Sequence, residues 1–493
     1  MPNRRDHFIN NQWVAGSGNL ILSRNPATAE TLWQGYAATD KEIHQALIAA
    51  REAFPEWAAL TLDARIAYLR KFIDLLTQSL DEFAVIISKE VGKPLWESKN
   101  EVRSMIAKLD IAIQAYHERC PERANTAPSG NTVLRHKPHG VVGILGPFNF
   151  PGHLPNGHII PALLAGNVVV FKASELTPLV AETMILLWEK AKLPPGVINL
   201  LQGGPETGRL LAGSIKLLDG LFFTGSWNTG QILSEQYAKY PDKILALEMG
   251  GNNPLIVSDI DDVKAAAYAT IQSAYVTSGQ RCTCARRLIV PVGPKGDAFL
   301  AALIGITKSI KIGPYTDQPE PFMGTVISEH AASHLIAVQD GLKSRGGEVL
   351  VEMTIKKVDS ALLSPGLIDV TRVAQRLDEE FFGPLLQLVR VANFDEAIIE
   401  ANQTAYGLTA ALFSKSRDEY LQFYQHIKAG VINWNTPTTG SSSALPFGGI
   451  GRSGNHRPSG YYAADYCAYP VATSEAEVLS LPKELAPGIG KVK

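Results

Sequence analysis

The chain has 493 residues, of which 45% are hydrophobic and 19% charged, and its formal net charge is −2. That length exceeds what one core organises, so two or three domains are expected, and the composition excludes a disordered chain. The charges are scattered, without the Lys/Arg block that nucleic acid or an acidic membrane surface would require, and four cysteines (Cys120, Cys282, Cys284, Cys467) are too few for a disulfide framework and read as reduced thiols.

In chain order, the N-terminal MPNRRDHFINNQW lacks the apolar run of a signal peptide. The longest apolar stretches, such as ALLAGNVVVF (162–171), reach about half of a membrane span, so a cytoplasmic protein without a membrane partner is expected. Residues 41–116 read as helical, with Leu69, Phe72, Ile73 and Leu76 at helical spacing. Residues 117–139 are polar and broken by Pro and Gly, an excursion or a linker. From 140, apolar runs alternate with helical patterns: VVGIL (141–145), NVVVFK (167–172), VINLL (197–201), LDGLFF (218–223) and KILALEM (243–249). Such runs imply a parallel sheet buried on both faces, hence a doubly wound α/β domain. A second α/β series starts near 250 with NPLIVS (253–258), a long helical stretch over 261–277 and RRLIVPV (286–292). YCAYPVATS (466–474) reads as a strand added to a partner sheet, and the last residues as a mobile tail.

Several segments carry candidate chemistry. Cys282 in SGQRCTCARR has Arg281 and Arg286 nearby, cations that favour a thiolate nucleophile; the plainer alternative is a small buried apolar residue. Its CxC pattern with Cys284 lacks the second ligand pair of a zinc site, so no metal is expected. Glu248 in LALEMGGNNP ends an apolar strand and suits a general base, or else a cap or ion-pair partner. FTGSWNTG (223–230) opens a helix where Gly225 and Gly230 let backbone approach a phosphate, although it does not match GxGxxG and a plain tight turn fits equally. Lys172 and Glu175 in FKASE can hold ribose hydroxyls or form an exposed charged loop. Asn149 in GPFNFP is an oxyanion donor or a turn-former, and Glu380 in EEFFGP is ambiguous alone.

Together, GPFNFP, FKASE, FTGS..TG, LEMGGNNP, GQRC, EEFFGP, YGLTAALFS, INWN and PFGGIGRSG resemble the aldehyde dehydrogenase superfamily, in its order, from about residue 8 to 475. The resemblance implies Cys282 as nucleophile, Glu248 as general base and Asn149 as the side-chain half of an oxyanion hole. It implies a dinucleotide held by Lys172, Glu175, Gly225, Ser226, Trp227, Asn228, Thr229, Gly230, Glu380 and Phe382. NAD is expected over NADP, because Glu175 would repel a 2′-phosphate. The superfamily usually has Pro after the Lys, where this chain has Ala173.

The implied architecture is α/β: a doubly wound Rossmann-like dinucleotide-binding domain (1–116 and 140–249), a second α/β catalytic domain (250–445), a small β bridging or oligomerisation element (117–139 and 455–475) and a tail (476–493). A homodimer or homotetramer is the expected assembly. Less general runs, among them FNFPGHLPNGHIIPALLAGN (148–167) and GNHRPSGYYAADYCAYPVA (454–472), resemble a branch acting on an acidic semialdehyde. That substrate carries two carboxylates besides its aldehyde, and Arg281 and Arg457 are the candidate anion partners. The alternatives are another acidic semialdehyde, such as that of glutamate or succinate, and, more remotely, a cofactor-independent cysteine hydrolase or acyltransferase.

Overall fold

Five strands with almost wholly buried side chains run parallel in the order Ile244–Met249, Gly220–Gly225, Val141–Leu145, Val168–Lys172, Ile198–Leu201. Val141–Leu145 and Val168–Lys172 are buried at every position, which is why they read as continuous apolar runs. Helices Asp40–Ala59, Leu62–Gln78, Leu80–Val91, Leu95–Arg119 and Pro178–Lys190 pack with this sheet in one hydrophobic core, where Phe72 stacks on Trp188 at 3.7 Å. The chain order reverses between Val141–Leu145 and Gly220–Gly225. Loops leaving the carboxyl ends of strands on either side of such a reversal diverge and open a crevice, the usual ligand position in this architecture.

The structure, a computed structural model, describes residues 5–127, 130–357, 360–481 and 484–490. The expected mobile tail falls partly on 482–483 and 491–493, outside the described residues.

The second sheet runs Glu348–Val351, Gly366–Asp369, Leu385–Val391, Ala285–Pro291, Asn253–Val257, Thr409–Phe413, Val431–Trp434, parallel except for Glu348–Val351. Two further clusters of buried residues fill its faces. The helical reading of 261–277 is too long. The helix is Val263–Ala274, followed by a turn in which Thr277, Ser278 and Gly279 all have positive φ (54°, 53° and 71°).

Residues 117–139 are not a featureless linker. They finish a helix and form the hairpin Arg123–Ala127/Gly130–Pro138. Ala468–Glu475 pairs antiparallel with Gly130–Pro138 along eight residues of the same chain, and Arg135 is ion-paired with Glu475. The preceding helix, Ala463–Cys467, sits in the core of the first sheet. The N-terminal strands His7–Ile9, Gln12–Val14, Leu20–Arg24 and Thr31–Tyr36 have no counterpart in the sequence reading. Among the described residues no helix is long and apolar enough to cross a membrane.

Candidate active site

A cleft of about 870 Å³ opens at the carboxyl ends of the first sheet and reaches across to the second. Asn149, Glu175, Gly225, Ser226, Thr229, Glu248, Arg281, Cys282, Glu380 and Phe382 all line it. Lys172 is buried at the end of its strand with Nζ 3.3 Å from Glu175, and does not itself line the cleft. Trp227, Asn228 and Gly230 lie in the first turn of helix Trp227–Tyr237 but do not line the cleft. Gly230 has a packing reason to be glycine, since a Cβ there would meet Met249 Sδ at 2.1 Å. Arg457 is exposed, donates among the described residues to the carbonyl of His456 alone, and does not line the cleft.

Cys282 is half-buried in a turn held from several sides. Asn253 Nδ2 donates to the carbonyls of Cys282 and Cys284 at 2.7 and 2.9 Å. Arg286, fully buried, donates to the carbonyls of Gly279 (2.6 Å) and Arg281 (2.9 Å). Gln280 accepts from the Ile327 amide at 2.9 Å. The strained residue is Thr277, because a β-branched side chain in the left-handed region costs energy that its surroundings must supply. Glu97, from helix Leu95–Arg119, supplies it. Its carboxylate accepts from the Thr277 amide (2.9 Å), the Thr277 hydroxyl (2.7 Å) and Arg281 Nη2 (2.6 Å). Arg281 Nε also donates to the Thr277 hydroxyl at 2.8 Å.

Glu97 lies 180 residues from Thr277 in sequence, and nothing in its local pattern marks it. Because it is wholly buried beneath a strained turn, Glu97→Ala leaves Arg281 without its carboxylate. The expected result is a loss of about 3–5 kcal/mol in denaturant unfolding together with a lower kcat. Unchanged stability and turnover would show that the turn holds itself.

The thiolate expectation is reversed for the resting protein. Burial, then the nearby Glu380 and Glu248 carboxyls, push the Cys282 thiol up to about 12, and Arg286 offsets this only in part. Cys284 is buried and held near the carbonyl of Val276, away from the cleft lining. Glu248 is the penultimate residue of the strand Ile244–Met249, and burial holds its pKa well above the usual carboxylate range. Its Oε1 accepts from the Ser459 amide at 3.3 Å, and its Oε2 has no partner among the described residues. Asn149 is fixed by donating one amide hydrogen to the carbonyl of Gln280 at 2.9 Å, which leaves its second donor free.

The crevice suits a dinucleotide. Glu380 is raised in pKa by burial, and among the described residues its Oε1 has no hydrogen-bond donor, while Arg286 stands 3.6 Å away. Such an oxygen matches a ribose hydroxyl. Gly250 faces it so closely that a Cβ would lie 1.7 Å from Oε2. Ser226 caps helix Trp227–Tyr237 by accepting from the Thr229 amide, so the helix presents its positive end to the crevice. Among the described residues no group of three or more His, Cys, Asp or Glu side chains is placed to hold a metal ion.

Residues 13–471 match the model of the aldehyde dehydrogenase family. The chain is 56% identical over 483 residues, 98% of its own length and 99% of the relative's, to N-succinylglutamate 5-semialdehyde dehydrogenase of Ectopseudomonas mendocina (strain ymp). Among solved structures it resembles methylmalonate-semialdehyde dehydrogenase from Oceanimonas doudoroffii, with a TM-score of 0.91, 27% identity, and 96% and 98% of the two chains covered. It likewise resembles 1-pyrroline-5-carboxylate dehydrogenase from Thermus with bound NAD, with a TM-score of 0.89, 26% identity, and 96% and 92% covered.

Proposed function

The chain belongs to the aldehyde dehydrogenase family, and from that premise we propose that it oxidises N-succinyl-L-glutamate 5-semialdehyde to N-succinyl-L-glutamate with NAD as electron acceptor. The observation that carries the chemistry is a thiol, Cys282, sharing one cleft with a buried carboxyl that keeps an uncommitted oxygen, Glu248. The choice of substrate rests on the 56% identical relative.

In this reading Cys282 Sγ gives up its proton to water in the cleft and attacks the aldehyde carbon, and the carbonyl bond opens to the alkoxide of a thiohemiacetal. The free amide hydrogen of Asn149 and the Cys282 backbone N–H stabilise the developing oxyanion; one such donor is worth about 2.7–4 kcal/mol of barrier. A nicotinamide cofactor, when bound in this crevice, would supply the hydride acceptor that oxidation of this adduct to a thioester requires. Glu248 Oε2 then takes a proton from water, which attacks the thioester and frees Cys282. Lys172 and Glu175 would hold the adenosine ribose, Gly225, Ser226 and Thr229 would border the pyrophosphate with Trp227, Asn228 and Gly230 behind them in the first turn of the helix, and Glu380 with Phe382 would seat the nicotinamide ribose. Arg281 lines the cleft, but Glu97 and Thr277 already engage its guanidinium, so it is not free to clamp a substrate carboxylate. The hairpin Arg123–Ala127/Gly130–Pro138 and the strand Ala468–Glu475 serve assembly into a homodimer or homotetramer in the cytoplasm.

The test is a set of aldehydes (the succinylated semialdehyde, glutamate semialdehyde, succinic semialdehyde and a neutral aldehyde) assayed with NAD and NADP by reduced-cofactor absorbance. The succinylated substrate is expected to give the highest kcat/KM. NAD is expected to exceed NADP by on the order of tenfold, since the Glu175 carboxylate would face the 2′-phosphate. Equal values for the two cofactors would remove the role given to Glu175, and a better rival aldehyde would replace the substrate.

A further inference from the structure

Along one wall of the cleft, where helix Leu95–Arg119 packs against helix His153–Ala165, the basic side chains Lys108, His153 and Arg281 line the space and Lys93 lies behind them. Two of the four are neutralised locally. Lys93 pairs with Glu101 at 2.5 Å and Arg281 with Glu97 at 2.6 Å. Both carboxylates are occupied further, because Glu101 accepts from the amides of Gly152 and His153 and Glu97 holds the Thr277 turn. Phe150 covers this pair of cations, with Lys93 Nζ at 3.5 Å and the Arg281 guanidinium carbon at 5.0 Å from its ring centre.

Lys108 and His153 have no such compensation, and both line the cleft that holds Cys282. Lys108 is only 4% exposed, yet it makes no ion pair or hydrogen bond among the described residues. Burial alone pulls its pKa down to about 8, so at neutral pH it still carries its proton for most of the time. His153 Nδ1 is buried without a hydrogen-bond partner among the described residues, and burial next to Lys108, Lys93 and Arg281 keeps the ring neutral. The space before the ammonium is left open by a glycine, since a Cβ on Gly157 would stand 4.0 Å from Lys108 Nζ. A buried cation without a counter-charge is costly unless something supplies the anion.

We propose that Lys108, with the His153 ring beside it, is the receptor for a substrate carboxylate, so that this wall of the cleft selects aldehydes carrying an acid group. The inference rests on the substrate reading above and deepens it by assigning the anion site to Lys108 in place of Arg457.

The experiment compares the succinylated semialdehyde with propanal as a neutral probe, in the wild type, Lys108→Met and Lys108→Gln. Methionine keeps the length and apolar contacts of the stem while removing the charge, and glutamine gives a second reading if the first variant does not fold. The wild type is expected to prefer the acidic aldehyde. In the variants its KM is expected to rise on the order of 10- to 100-fold, while kcat/KM for propanal stays within about threefold of the wild type. A wild-type preference that survives in a folded variant overturns the Lys108 assignment and leaves the substrate reading intact. A wild type with no preference for the acidic aldehyde overturns the substrate reading, and the anion site with it.

Discussion

Cys282→Ser is expected to lower steady-state turnover by on the order of a thousandfold or more while leaving NAD affinity near that of the wild type. The proposed route forms its covalent intermediate on this sulfur, and a serine hydroxyl is both a weaker nucleophile and a poorer leaving group for the final hydrolysis. Cofactor contacts are assigned to Lys172, Glu175 and Glu380, none of which the substitution alters. Cys284→Ser is the matched control, since that thiol is buried and sits behind the turn. Turnover is read from NADH absorbance and binding from quenching of protein fluorescence. Near-wild-type turnover in Cys282→Ser would end the covalent mechanism, and equal losses at both positions would indicate damage to the turn and not to the nucleophile.

Glu248→Gln is expected to separate the two halves of the reaction. A burst of NADH of about one equivalent per site should appear, followed by a steady rate lower by on the order of 10²- to 10⁴-fold, as the thioester waits for water that nothing activates. The wild-type pH profile should carry the same signature. Burial raises the Glu248 pKa, so at low pH the side chain holds its proton and cannot accept another; kcat should climb as pH rises through that raised value. The glutamine variant should lose this climb. A variant without a burst, or one that keeps the wild-type profile, would transfer the base role elsewhere. Rapid-mixing absorbance over a pH series decides among these outcomes.

The elements that the sequence made legible are those whose pattern is local. Val141–Leu145 and Val168–Lys172 are buried on both faces and therefore appear as unbroken apolar runs. Glu248 stands at a strand end followed by two glycines, and one of them, Gly250, makes room for the Glu380 carboxylate. Contacts made across long stretches of chain were not legible. Glu97 is an ordinary acidic residue of an amphipathic helix until folding sets it under Thr277. Lys108 falls among other polar residues of that helix, and only the tertiary packing shows that it points inward without a counter-ion. The left-handed turn at 277–279 was missed because Val276 and Thr277 continue an apolar, helix-compatible string, and tertiary hydrogen bonds override that propensity. The state of the thiol is likewise set by packing that a sequence does not show: burial raises it first and the Glu380 and Glu248 carboxyls next, Arg286 offsets this only in part, and the Arg281 guanidinium is engaged by Glu97.

The Glu97 anchor also ties the two halves of the molecule to each other. The carboxylate belongs to a helix packed in the first core, and the groups it accepts from belong to the turn that precedes the second sheet's strand Ala285–Pro291, so parting the halves breaks three hydrogen bonds at once. A disturbance of either core therefore reaches the loop around Cys282 through a single buried side chain.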